Sequence, residues 1–89
     1  MSKRLEVKVV NKLGLHARPA AQLVRQAMTF QSDITLEKDG EAVNAKSIMG
    51  IMSFAACLGT TIVITADGED ENEAVDAIAK LFADKFGEE

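Results

Sequence analysis

The sequence predicts an α+β fold in which helices cover one face of an antiparallel sheet. Three observations point there. The apolar period is two at Arg4–Val10 and Asp33–Lys38, Thr60–Ala66 is rich in β-branched residues, and a helical stripe appears after Ala17 and again after Asp70. Asp39-Gly40 separates two short strand-like runs, as the tight turn of an antiparallel hairpin does. The resulting order, β-α-β-β-α-β-α, lacks the regular alternation of a parallel α/β sheet.

In the first strand Leu5, Val7 and Val9 share one face, with Arg4, Glu6 and Lys8 on the other. Gly14 marks the loop that follows. A helix then begins at about His16 or Ala17, with Ala20, Leu23, Val24 and Ala27 as its stripe and Pro19 in a first turn that needs no N–H. Ile34 and Leu36 form the buried side of the second strand, and Glu41–Asn44 returns after the turn. Ser47 is placed to cap a short helix from Ile48 to about Phe54. Asp70 and Glu73 have the spacing of a capping box for the last helix. Its stripe is Val75, Ile78, Ala79, Phe82 and Phe86, and Gly87 ends it. Periodicity does not order the strands; a ferredoxin-like arrangement is the expectation for split βαβ segments of this length.

Eighty-nine residues, 47% of them apolar, suit a single domain spanning 1–89. A net charge of −4 and the absence of Trp and Tyr argue against a nucleic-acid partner. The first ten residues carry no apolar core of a signal peptide, and no apolar run reaches the roughly 18–20 residues of a membrane span. One cysteine, Cys57, makes no internal disulfide and reads as a small apolar core residue. The expectation is a cytoplasmic protein without membrane insertion. No His, Cys or carboxylate cluster has metal-ligand spacing, so neither metal nor cofactor is expected.

His16 is the sole histidine, set where Gly14-Leu15 meets a helix start. The first amides of a helix lack internal acceptors and carry the positive end of the dipole, so this corner suits an anion. The same dipole favours the neutral, nucleophilic imidazole over the imidazolium. Arg18 can add a charge-assisted contact to a phosphoryl oxygen. The plainer reading makes His16 a helix-start residue and Arg18 a solvated cation. Nucleophile, helix start, adjacent Arg and Pro-fixed turn together favour a phosphoryl site. A carboxylate or carbonyl could orient the ring, but the sequence does not identify it.

Gly14-Leu15-His16-Ala17-Arg18-Pro19-Ala20 and Ala45-Lys46-Ser47-Ile48-Met49-Gly50 resemble, in order, the active-site and regulatory-serine signatures of the HPr family. This is the phosphocarrier family of the phosphoenolpyruvate-dependent phosphotransferase system, and the resemblance runs end to end. It implies an open-faced β-sandwich: a four-stranded antiparallel sheet of order 1-4-2-3 with three helices on one face. It implies a stoichiometric carrier rather than an enzyme. Enzyme I would phosphorylate Nδ1 of His16, and sugar-specific transfer components would receive the group. Arg18 would stabilise the phosphoryl group together with the Ala17 and Arg18 amides. Ala17, Ala21, Ile48, Met49 and Met52, rimmed by Arg25, would dock partners, and Ser47 would be the target of a regulatory kinase/phosphorylase. Met28 departs from members with a basic residue there. A monomer is expected.

Asn11-Lys12-Leu13-Gly14 and the acidic C-terminal residues are similar to nitrogen-related carriers, whereas Lys46–Gly50 is similar to serine-regulated sugar-system members. An acyl carrier bearing its arm on Ser47 is argued against by the strand signals, because acyl carriers are helical bundles. A ferredoxin-like regulatory module without chemistry would leave the His16–Pro19 corner unexplained.

Overall fold

The computed structural model describes residues 2–54 and 56–88. The strands are β1 (Ser2–Lys8), β2 (Asp33–Lys38), β3 (Glu41–Asn44) and β4 (Thr61–Asp67). The helices are α1 (Ala17–Ala27), α2 (Ile48–Ser53) and α3 (Glu71–Ala83), followed by a 3-10 turn at Lys85–Gly87. The sheet runs β1-β4-β2-β3, every adjacent pair antiparallel. β1 and β2 are thus parallel with β4 between them, and β3 and β4 parallel with β2 between them. Both split βαβ units exist, but their order is the one the family resemblance implies and not the ferredoxin-like one. Periodicity could not choose, because it fixes each strand's buried face and not its neighbour.

The register aligns the apolar sides. Leu36 lies opposite Ile64 and Val43, and Ile34 opposite Ala66. These meet Leu23, Ala27, Ile51, Val75, Ile78 and Phe82 in one core. Burial thins along the edge strand β1: Val9, just beyond its end, is sealed, Val7 is half-buried, and Leu5, opposite the sealed Ile64, is 40% exposed. The predicted alternation is right, but an edge strand has a neighbour on one flank only. Asp39 (φ 49°) and Gly40 (φ 81°) both occupy the left-handed region the hairpin turn demands.

Three local expectations are corrected. Asp70 precedes α3 but does not cap it. Its carboxylate instead accepts from the Gln31 and Ser32 amides, at 2.9 and 3.0 Å, and from the Ser32 hydroxyl. These bonds, led by that of Ser32, hold the Asp70 carboxyl below its ordinary range. Loop amides with no other partner among the described residues have displaced a local cap. Glu71, not Glu73, reaches back, to the Gly68 amide at 3.2 Å. Second, α3 ends at Ala83, and Phe86 is buried from the left-handed turn beyond it. Third, Cys57 is exposed: the turn into β4 points it outward, with its amide donating to Thr60 Oγ1 at 3.2 Å.

Candidate functional site

The loop between β1 and α1 sets the site. Gly14 adopts φ 67°, and the Leu15 amide donates to the Ala56 carbonyl at 2.9 Å, pressing the loop against the 56–60 segment. His16 then stands at the N-cap in extended conformation. Its carbonyl accepts the Ala20 amide at 3.0 Å, while its ring makes no cap bond. Pro19 has no N–H, so the Ala17 and Arg18 amides are the open donors of α1, and neither meets a protein acceptor among the described residues.

The ring is engaged from the far end of the chain. His16 Nε2 lies 2.9 and 3.1 Å from the two carboxylate oxygens of Glu88. The side chains are 36% and 13% exposed, so the pair sits at the surface with its acidic member covered. Asn11 Nδ2 donates to Glu88 Oε1 at 3.1 Å and to the Gly14 carbonyl at 2.8 Å. The His16 hydrogen bond foremost, then those of Asn11 and the nearby Arg18 charge, hold the Glu88 carboxyl below its ordinary range despite some desolvation. Lys12, Leu13, Arg18, Gly87 and Glu88 line an open cleft of about 490 Å³ beside the ring. Nδ1 of His16 has no protein partner among the described residues.

The carboxylate that meets the ring, which the sequence left unnamed, is Glu88. No local signal could have revealed it, since 72 residues separate it from His16. The Asn11 bond to Glu88, across 77 residues, is hidden for the same reason. Of the other candidates, Ala17 and Arg25 are exposed and Ala21 half-buried on α1, which packs against α2. Ser47 caps α2, accepting the Gly50 amide at 3.1 Å. On that helix Ile51 is sealed in the core, while Ile48, Met49 and Met52 are 41, 77 and 45% exposed.

Among the described residues, no group of three His, Cys, Asp or Glu side chains is placed to hold a metal ion. No helix there is long and apolar enough to cross a membrane. Fold and site together are those of a phosphocarrier, which ferries a group and does not turn over a substrate. The sequence model of the PTS HPr component phosphorylation site matches residues 3–84. The phosphocarrier protein HPr of Xylella fastidiosa (strain Temecula1) is 52% identical over 84 residues, covering 94% of each chain. The crystal structure of HPr-C-His from Thermoanaerobacter tengcongensis superposes with a TM-score of 0.94 at 50% identity, over 98% of each chain. Crh of Bacillus subtilis, whose structure is described as a domain-swapped, intertwined dimer, gives 0.76 at 52% identity over 89% of this chain and 91% of that one. The chain belongs to the HPr family, the phosphocarriers of the phosphotransferase system.

Proposed function

We propose that His16 accepts the phosphoryl group of phospho-enzyme I and passes it to sugar-specific transfer components. The observation that carries this reading is the imidazole at an open helix N-terminus with Nδ1 free of protein partners among the described residues. The Nδ1 lone pair attacks phosphorus; the N–P bond forms as the bond to enzyme I breaks, and the electron pair of that bond leaves with the donor. Charge on the three phosphoryl oxygens meets the Ala17 and Arg18 amides and the Arg18 guanidinium. Onward transfer is the same step in reverse, with a new acceptor. Incubation with phosphoenolpyruvate and enzyme I tests this, with mass measured before and after mild acid. One phosphoryl mass, lost in acid, is expected.

Ala17, Ala21, Arg25, Ile48, Met49 and Met52 form the proposed docking surface. Exposed Met side chains suit a face that must fit several partners. The working unit of this reading is the single domain as a monomer, in contrast to the Crh dimer. A second reading, the nitrogen-related branch, is favoured by the Asn11–Glu88 bond. It ties together the two segments that resemble those carriers. Presenting the phosphorylated protein to acceptor components of both branches decides between them.

Two variants probe the surroundings of His16. Arg18→Ala should slow transfer by about tenfold or more while docking changes less, because its contact is chiefly to the moving charge. Lysine should restore only part, lacking the planar fork. A parental transfer rate in the Ala form would make Arg18 a solvated surface residue.

Ser47 is the proposed regulatory site. A phosphate there sits at a helix N-terminus, so the free protein keeps its stability. On the docking face the same dianion must be desolvated against the partner. Ser47→Asp should therefore weaken enzyme I binding with an unchanged or raised Tm, and Ser47→Ala should not weaken binding. Titration calorimetry and thermal melts separate these outcomes. Equal affinities in parent, Ala and Asp forms would leave Ser47 a helix cap.

A further inference from the structure

We infer that Glu88, carried on the turn after α3 and steadied by Asn11, is the positioning residue that fixes the tautomer of His16. This rests on His16 being the phosphoryl acceptor. An ionised carboxylate has acceptors only, so the ring nitrogen facing Glu88 must carry the proton. That nitrogen is Nε2, in contact with both carboxylate oxygens. In the neutral ring the lone pair then lies on Nδ1, the nitrogen without a protein partner among the described residues. The carboxylate thus selects the nucleophilic atom and fixes the plane of the ring.

Its role extends through the transfer step. When Nδ1 bonds phosphorus, Nε2 keeps its proton and the ring gains positive charge. A carboxylate already aligned with Nε2–H stabilises that charge without reorganising. When the N–P bond breaks toward an acceptor, the ring returns to the same neutral tautomer, ready for the next group. Glu88 itself neither gains nor loses a proton in the cycle.

The surroundings are built to hold this contact. Asn11 is fully buried, and its Oδ1 has no partner among the described residues. Turning the amide over would set Oδ1 against two acceptors, the Gly14 carbonyl and Glu88, so the donor face is committed to them. The turn bearing Glu88 is strained and anchored. Lys85 and Phe86 both hold left-handed backbone, at φ 56° and 54°, a conformation unfavourable for such side chains. It persists because the Phe86 ring is buried edge-on against Phe82, with centroids 5.0 Å apart. The Phe86 carbonyl also accepts Gln22 Nε2 at 3.1 Å, and the Glu88 amide donates to the Lys85 carbonyl at 2.8 Å. Strain of this kind survives where neighbouring contacts over-determine it.

The test uses the full chain with ¹⁵N-labelled histidine, at a pH where the imidazole is neutral. In the parent, nitrogen shifts should show Nε2 protonated and Nδ1 bare. Glu88→Ala should move both shifts toward the averaged values of an unrestrained imidazole and slow phosphoryl acceptance from enzyme I by about tenfold, with little change in Tm. Glu88→Gln keeps an oxygen that can accept from Nε2–H, so it should hold the tautomer and recover part of the rate. Parental shifts in Glu88→Ala, or altered shifts with a parental rate, would overturn the proposal. A parent that takes no acid-labile label would overturn the acceptor reading instead. The nitrogen shifts would still decide whether Glu88 sets the tautomer.

Discussion

His16→Ala is expected to abolish acid-labile phosphorylation while leaving the domain folded. The chain contains no other imidazole, so no second nitrogen can take the group in the same chemical form. The fold is expected to survive because the ring is partly exposed and packs into no core cluster. Its backbone role, accepting the Ala20 amide, passes to alanine unchanged. Glu88 keeps its Asn11 bond and its anchored turn, so the loss should stay within about 1 kcal/mol, as for surface substitutions generally. The measurement is mass change after incubation with phosphoenolpyruvate and enzyme I, beside a thermal melt of both forms. An acid-labile phosphoryl group on the Ala variant would refute His16 as the acceptor. A collapse in Tm would show instead that the ring has a structural role the site geometry does not reveal.

What the sequence disclosed and what it hid divide along sequence distance. Gly14, His16 and Pro19 lie within six residues, and a loop, a helix start and a fixed first turn follow from local chemistry. Asp39-Gly40 is legible for the same reason, since two positive φ values are a property of the turn itself. Ser47 is legible as a cap because its acceptor role is met three residues on. Asp70 carries an equally good local signal, and that signal misleads. Its carboxylate found the amides of Gln31 and Ser32, nearly forty residues away, and tertiary bonds displaced the local one. Cys57 failed differently: small apolar character suggested burial, but its place in a turn decided its exposure. Phe86 is in the core as its apolar spacing predicts but lies beyond the helix, because an aromatic ring can be buried from a turn as well as from a helical face. Glu88 was invisible, as its partners Asn11 and His16 lie 77 and 72 residues back. Strand order belonged to the same class. The family resemblance supplied it where periodicity did not.

Gly14→Ala should be the most damaging of the single-methyl changes near the site. At φ 67° the backbone occupies the left-handed region, which costs a residue with a Cβ about 1 kcal/mol. The added methyl would also lie 2.4 Å from the Ala56 carbonyl oxygen and 2.8 Å from Cys57 Cα. Both are backbone atoms, so no side chain can rotate to make room. Relief requires the 11–16 loop to lift from the 56–57 segment. That strains the Leu15 amide bond to Ala56 and turns the Gly14 carbonyl from Asn11. Overpacking of this kind costs about 1–3 kcal/mol, for a total of roughly 2–4 kcal/mol. In a domain of this size that lowers Tm by about 10–25 °C. Gly40→Ala is the control, because its φ of 81° carries a similar conformational cost while, among the described residues, no atom beyond its chain neighbours lies within 4 Å of the new methyl. It should lose only about 1 kcal/mol and accept the phosphoryl group at the parental rate. Gly14→Ala should accept it slowly even below its own Tm, since the shifted loop carries both His16 and the amide that steadies Glu88. Equal melting temperatures for the two variants would mean that the 11–16 loop can move off the 56–57 backbone at no cost, and that Gly14 does not fix the position of His16.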